Sequence, residues 1–371
     1  MNNFFVFALA VIFVAINGLT QLSYAYGMGF KLKPTGISFI VASAMGLLTG
    51  SVTPLSGQAA MLTITGKILD LQERSAALIL SSIFMIAIGL TGGMSAIVTF
   101  AGPAVVAGMM AGVGLILAEV GGVSMFKSNY RVGAISIITA LLMWGWTRDL
   151  VYTVAASVTL STLDYLFIQK KRVQLMEDVQ QTDEPKFWTK AYWQTEDWKI
   201  VVPKFNVSSI LGALAILCLG IGATSSFGNI NASISGIPQN LDRLTFMTGI
   251  ADLPGILFGG APLEAIISGT AAAPWPVMGA VIMMLLLGTL LISGSVIKIC
   301  KYIPMESIAG FLLVIGTFST FLPNISNAFA TGNTAQASIA MGVTVITKNP
   351  FLGMLCGVLI RYIGAFWGLA V

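Results

Sequence analysis

Apolar runs longer than the 20 or so residues that a helix needs to cross a bilayer recur from one end of this chain to the other. Charges gather in the turns between them, so the polypeptide is threaded through the membrane many times. With 56% hydrophobic and 9% charged residues, against roughly 25% charged in soluble domains, a water-soluble globule is excluded. Met1-Asn2-Asn3 runs straight into the first apolar segment without a basic leader or a small-residue cleavage site, which reads as a first span and not a removed signal. Residues 169–204 are the exception to the apolar pattern. They hold seven Lys or Arg and six Asp or Glu, with Trp188, Trp193 and Trp198 among them, and read as an aqueous linker or a piece lying on the membrane surface. Setting that loop aside leaves about 335 residues, which at roughly 24 per span with its turn gives about fourteen helices.

Two of the spans are interrupted. Gly46-Leu47-Leu48-Thr49-Gly50-Ser51-Val52-Thr53-Pro54-Leu55-Ser56 and Gly255-Ile256-Leu257-Phe258-Gly259-Gly260-Ala261-Pro262-Leu263-Glu264 carry glycines, then Pro-Leu, and the two prolines lie 208 positions apart (262 minus 54). Broken backbone at membrane depth is tolerated only where protein buries it or it lines a cavity. Matching interruptions in two halves of a chain point to the binding site of a transporter. A short extended piece is therefore expected in spans three and ten, each feeding an abbreviated helix, from about Gly57 and after Pro262.

The remaining spans are expected at about 3–26, 35–50, 75–98, from Pro103 to near Glu119, two within 132–168 divided at Thr147-Arg148-Asp149, 205 to about 226, 244–256, 277–297, and from near Pro304, Ala335 and Pro350. A second internal match, Pro103-Ala104-Val105-Val106-Ala107-Gly108 with Val113-Gly114 against Pro304 through Ala309-Gly310 with Ile315-Gly316, divides the fourteen into seven and seven. An odd number of spans in each half makes the halves cross in opposite senses. The fold class expected is thus all-α, a 7+7 inverted repeat: a first repeat over 1–168, the loop 169–204, and a second repeat over 205–371.

Half-helix N-termini at the midplane would offer amide donors near Ser56, Gly57 and Gln58 and near Leu263 and Glu264. Gln58 carries a donor and an acceptor, as a heterocycle edge requires, or bridges two helices. Glu264 is the only acid in the paired broken segments, and ionisable groups at that depth are costly enough to imply a task, substrate binding or proton uptake. The competing reading places it in the first turn of a helix as a cap. Asp252, two residues before Pro254, is a second coupling site or a cap to the break. Thr224 and Ser225, with Ser226, sit at the same level of span eight and either face a ligand or bond to their own helix.

No His is present, which removes the commonest metal ligand and general base, and Cys218, Cys300 and Cys356 have no paired spacing. Enzyme chemistry, a metal and a cofactor are not expected. A net charge of +4 gives no nucleic-acid footprint.

The broken spans, the Gly-Pro helix openings and the tail Val343-Thr344-Val345-Ile346-Thr347-Lys348-Asn349-Pro350-Phe351-Leu352-Gly353 resemble the nucleobase/ascorbate transporter family of xanthine and uracil permeases. The resemblance implies a fourteen-helix carrier with a core domain (spans one to four and eight to eleven) and a gate domain (five to seven and twelve to fourteen). It matches the family's span-three site to Gly57-Gln58-Ala59, and its span-ten acid to Ser268, with Glu264 one turn earlier. The span-eight acid of the family is missing, Ala223 or Thr224 standing at that level. The implied function is that of a secondary transporter in the plasma membrane, moving a small polar solute, a purine or pyrimidine base, by an elevator-like shift. Coupling to a proton or sodium and a homodimer are compatible with it. The alternatives are an anion carrier of sulfate-permease architecture, against which Glu264 counts, and a membrane sensor that transports nothing. The charge distribution over the short loops places the N-terminus outside and loop 169–204 in the cytoplasm.

Overall fold

The structure, a computed structural model, describes residues 3–57, 61–62, 70–168, 195–296 and 303–366. It is that of a multi-pass helical membrane protein. Thirteen helices are named here in chain order: α1 (Asn3–Gly27), α2 (Leu32–Thr49), α3 (Leu71–Thr91), α4 (Gly93–Ala101), α5 (Pro103–Ser128), α6 (Tyr130–Thr147), α7 (Leu150–Ile168), α8 (Val207–Ser235), α9 (Leu241–Ile256), α10 (Pro276–Ile292), α11 (Glu306–Ala330), α12 (Thr334–Thr347) and α13 (Pro350–Phe366). Among the described residues five of these, α2, α3, α5, α8 and α11, are both long and apolar enough to cross a membrane unaided.

Helix boundaries follow local chemistry. Gly50 adopts the left-handed conformation that closes α2, its N–H returning to Gly46 O. Asn206 opens α8 with a reciprocal capping box to Ser209, and Asn240 caps α9 through Arg243 N. Span eight runs nine residues past its expected end at 226, because the polar residues that broke the apolar pattern there include Asn231, which is fully buried against protein and not turned to lipid. The fourth expected span is likewise divided at Gly92, α3 ending there and α4 following.

The larger correction concerns span ten. No helix follows Pro262: the chain runs extended through β2 (Glu264–Ala265), then makes a single 3-10 turn at Gly269–Ala272. Glu264 is therefore not in the first turn of a helix, and neither the capping role nor the half-helix donors at Leu263 and Glu264 exist. Its extended partner is β1 (Leu55–Ser56), which lies antiparallel to β2 with Leu55 opposite Ala265 and Ser56 opposite Glu264. Each interrupted span thus satisfies its freed backbone against the other, with Ile266 N donating to Pro54 O at 3.2 Å. This is why two breaks are needed and one would not do.

Helix packing is dense within two groups that also meet each other, α8 lying against α5 and α13, and α1 against both α7 and α10. α2 lies against α9 and α10, and α3 against α8 and α9; separately, α5 lies against α11, α12 and α13, and α6 against α7 and α11. Close approach depends on glycine at both. A Cβ on Gly36 of α2 would come within 2.8 Å of Gly288 O of α10, and one on Gly114 of α5 within 2.6 Å of Gly316 O of α11. Gly114 and Gly316 are the matched glycines of the second internal repeat, and they touch. The helices carrying them each contain a π-helical stretch, Val120–Met125 and Ile315–Phe321.

Residues 195–206 lie along one end of the first group. Lys33, only 3% exposed, pairs with Asp197 at 3.0 Å; Val201 N donates to Leu257 O; Trp198 meets Phe258 edge-on; and Lys204 N donates to Gln72 O. The rest of the charged loop, 169–194, lies outside the described residues. Three further acids are found in ion pairs or hydrogen bonds: Glu119 with Lys348, Asp164 with Arg131, and Glu306 with Ser128.

Candidate functional site

The site is built around the β1–β2 crossing. Residues directly opposite in an antiparallel pair have Cβ atoms about 5 Å apart and side chains on the same face, so Ser56 and Glu264 project together. Both are fully buried. Among the described residues neither the Ser56 hydroxyl nor either Glu264 carboxyl oxygen has a hydrogen-bond partner. Buried polar atoms are almost always satisfied, and an unmet carboxylate is the costliest exception, which makes the crossing the candidate site. On the α1 side the wall is Gly18, where a Cβ would sit 3.3 Å from Ser56 Oγ.

The Thr224 hydroxyl of α8, also buried, is another of the several polar groups without a hydrogen-bond partner among the described residues. Two helical turns further on, Asn231 clamps the broken chain: Nδ2 donates to Ile266 O at 2.7 Å and to Thr53 Oγ1 at 3.3 Å, while Oδ1 accepts from Ser268 N at 3.0 Å. Seven residues return almost to the same helix face, so Thr224 lies on the face of α8 that meets the crossing. Ser225 is rotated away from it and is half-buried.

The other expected residues divide plainly. Asp252 Oδ1 accepts the Leu263 N–H at 2.7 Å, so the Leu263 amide is not free to hold a substrate; it holds β2 in place instead. Ser268 is engaged likewise, its N–H donating to Asn231 Oδ1 and its hydroxyl sharing a 2.7 Å hydrogen bond with that of Thr270. Gly57 packs between Leu22 and Leu62, and Gln58 lies outside the described residues. The break in span nine is secured by α2, Ser38 Oγ accepting from Gly255 N and Thr35 Oγ1 accepting from Ala261 N at 2.7 Å. Sequence reasoning missed Asn231, Thr35 and Ser38. Their common signal is a small polar residue in an otherwise apolar helix, too frequent in membrane helices to single them out.

No family model and no curated protein sequence matches the chain. Solved structures do match it. The transmembrane domain of BicA, a bicarbonate transporter of a cyanobacterium, superposes with a TM-score of 0.59 at 15% identity, covering 95% of this chain and 97% of that one. SLC26A9 superposes with a TM-score of 0.54 at 12% identity, covering 95% of this chain and 65% of that one. Fold is what such a likeness establishes. It corrects the resemblance to xanthine and uracil permeases: BicA and SLC26A9, two of the structures that match, are not nucleobase permeases. The paired broken spans are what the crossing requires and Gly102-Pro103 serves to open α5, so these features report architecture and carry no information on the substrate.

Proposed function

We propose that this chain is a secondary carrier of a small oxyanion of the bicarbonate class, bound at the β1–β2 crossing by Ser56, Thr224 and Glu264. The observation that carries the reading is the set of unpartnered polar atoms at that crossing, in a fold shared with a bicarbonate transporter. A planar oxyanion needs hydrogen-bond donors. Ser56 and Thr224 each supply one O–H. Glu264 as a carboxylate would repel the ion strongly in a medium of low dielectric. Carrying a proton, it becomes a third donor, so anion and proton would be taken up together. The objection that Glu264 raises against an anion carrier thereby becomes a statement about coupling.

An inverted repeat and an elevator-like shift belong to the same proposal. The register supports the repeat, because it sets Ser56 opposite Glu264, the residue 208 positions on, as a two-fold axis between the strands would. The contact between Gly114 and Gly316 supports it independently. The proposed core is spans one to four and eight to eleven, and the proposed gate spans five to seven and twelve to fourteen. Gly57 and Gln58 would complete the span-three side of the site, whereas Leu263, Ser268 and Asp252 hold its walls.

Uptake of labelled bicarbonate, sulfate, formate and uracil into proteoliposomes of purified protein tests this. Accumulation of a small oxyanion, accelerated by an inward proton gradient and lost in the Ser56→Ala, Thr224→Val double variant, is the expected result. Uptake of none of the anions would overturn it.

A further inference from the structure

One buried cation takes no part in the crossing. Arg74, in the first turn of α3, is 8% exposed, and its guanidinium lies over the Phe30 ring with Cζ 4.6 Å from the ring centre. Nη1 donates to Met28 O at 3.0 Å. The opposite edge of the guanidinium, formed by Nε–H and Nη2–H, is left over, and among the described residues the buried Nε has no hydrogen-bond partner. Arg131 shows the use of that edge, its Nε and Nη2 gripping the two oxygens of Asp164, both at 2.9 Å. Beside Arg74 the Ser75 hydroxyl, 2% exposed, is also without a partner, whereas Ser82 of the same helix spends its proton on Leu78 O.

Arg74 and Ser75 line a cavity of about 10 Å³, with Leu71, exposed at the start of α3, on one side and Gly259 and Gly260 on the other. No Asp or Glu lines it. The two acids nearest in sequence are committed elsewhere, Asp70 to Gln72 N and Glu73 to Asn206 Nδ2 and Lys204, and residues 58–69 contain none. A buried charge without a counter-charge is strongly destabilising, and a bridging water would occupy the donors without balancing it. We propose that this pocket is a binding site for one phosphate group. The cavity has room for about one water-sized body, which is a single phosphate oxygen shared by Nε–H and the Ser75 hydroxyl. Nη2 takes a second oxygen, completing the two-pronged grip, and the positive end of α3 adds to the attraction. The remainder of the group stands at the surface beside Leu71.

The end of the bundle that holds this pocket also carries Lys31, Lys33, Lys199 and Lys204, and is the end that the loop charges place in the cytoplasm. Basic pockets between membrane helices at that level take the phosphates of lipid headgroups. Inorganic phosphate offers the same chemistry from solution. Gly259 and Gly260 begin the extended run that passes Pro262 into β2, so an occupied pocket steadies the chain where it enters the crossing. The site itself does not depend on what is transported.

The test is the thermal midpoint of the purified protein in detergent at constant ionic strength and pH. It is titrated with dioctanoyl phosphatidic acid, with dioctanoylglycerol, which has the same chains and no phosphate, and with inorganic phosphate replacing chloride. A ligand that binds only the folded state raises the midpoint with its concentration. A saturable rise of a few degrees with phosphatidic acid or inorganic phosphate, and none with dioctanoylglycerol, is expected. Inorganic phosphate that needs about tenfold more than the lipid, whose chains add their own burial, assigns the site to a headgroup; one that acts at equal or lower concentration assigns it to a free anion. Arg74→Lys keeps the charge and loses the two-pronged edge, so half-saturation should move by about tenfold. Ser75→Ala, a milder change that keeps the helix, should move it in the same direction by less. Lys127→Gln, which removes an exposed cation at the same end, should leave it in place. Equal midpoints with and without phosphate-bearing ligands would overturn the proposal. So would half-saturation unmoved by both Arg74→Lys and Ser75→Ala, as phosphate held at the crossing would give, or moved as far by Lys127→Gln.

Discussion

Asn231 is the residue whose replacement should most disturb the crossing without touching a substrate. Its side chain is fully buried and makes three hydrogen bonds, two of them to backbone groups of the broken segment, Ile266 O and Ser268 N. Asn231→Ala orphans both. An unsatisfied buried backbone group costs about 1–3 kcal/mol in a protein interior. In membrane proteins the unfolded state finds partners of its own, and measured side-chain bonds average nearer 0.6 kcal/mol with a ceiling of about 1.7. Two orphaned groups together should then cost about 1–3 kcal/mol. Asn231→Asp sharpens the case. It keeps an acceptor for Ser268 N but sets a second oxygen against Ile266 O, so it should destabilise more than alanine unless a proton is taken up, and its penalty should shrink as pH falls. Reversible unfolding in mixed micelles, followed by circular dichroism at two pH values, measures both variants. A midpoint unchanged by Asn231→Ala, or an aspartate variant as stable as wild type at high pH, would refute the view that α8 holds the broken span in place.

With a proton on Glu264 as the third donor, Glu264→Gln, whose amide donates a hydrogen bond at any pH, should retain anion binding and lose its decline as pH rises. In the wild type that decline follows from deprotonation of the third donor, and a pH profile shared by the two proteins would count against it. Gly114→Val should cost about 1–3 kcal/mol through overpacking, because its first side-chain carbon already falls 2.6 Å from Gly316 O; a chemical-unfolding midpoint equal to wild type would show that α5 and α11 separate freely. Asp197→Asn should weaken the attachment of residues 195–206 to α2, and faster proteolysis after Lys199 in the variant, with a smaller difference between the two proteins at high salt, is the expected outcome. A single cysteine introduced at Thr182 should resist an impermeant maleimide applied to intact cells, as a cytoplasmic loop does; ready labelling would reverse the orientation read from the loop charges.

Much of the architecture was legible in the residue order, because the bilayer enforces it. Apolar length set the approximate number and place of the spans, and Gly50 and Pro54 located one break and Gly259 to Pro262 the other, the two segments that pair in the fold. Glu264 stood out by its charge at that depth alone. What the order of residues could not supply was the partner of each break. Whether the chain after Pro262 coils or stays extended depends on whether another strand is there to take its N–H and C=O groups, and that strand, Leu55–Ser56, lies more than 200 residues away. The same non-locality hid Asn231, Thr35 and Ser38, whose importance comes from the broken backbone they meet and not from their own neighbours in sequence. It also separated Asp252 from Glu264, twelve residues apart in the chain: tertiary packing gave Asp252 an amide and left Glu264 facing Ser56 with neither oxygen satisfied, because only a folded pair of crossing spans decides which buried charge finds a partner.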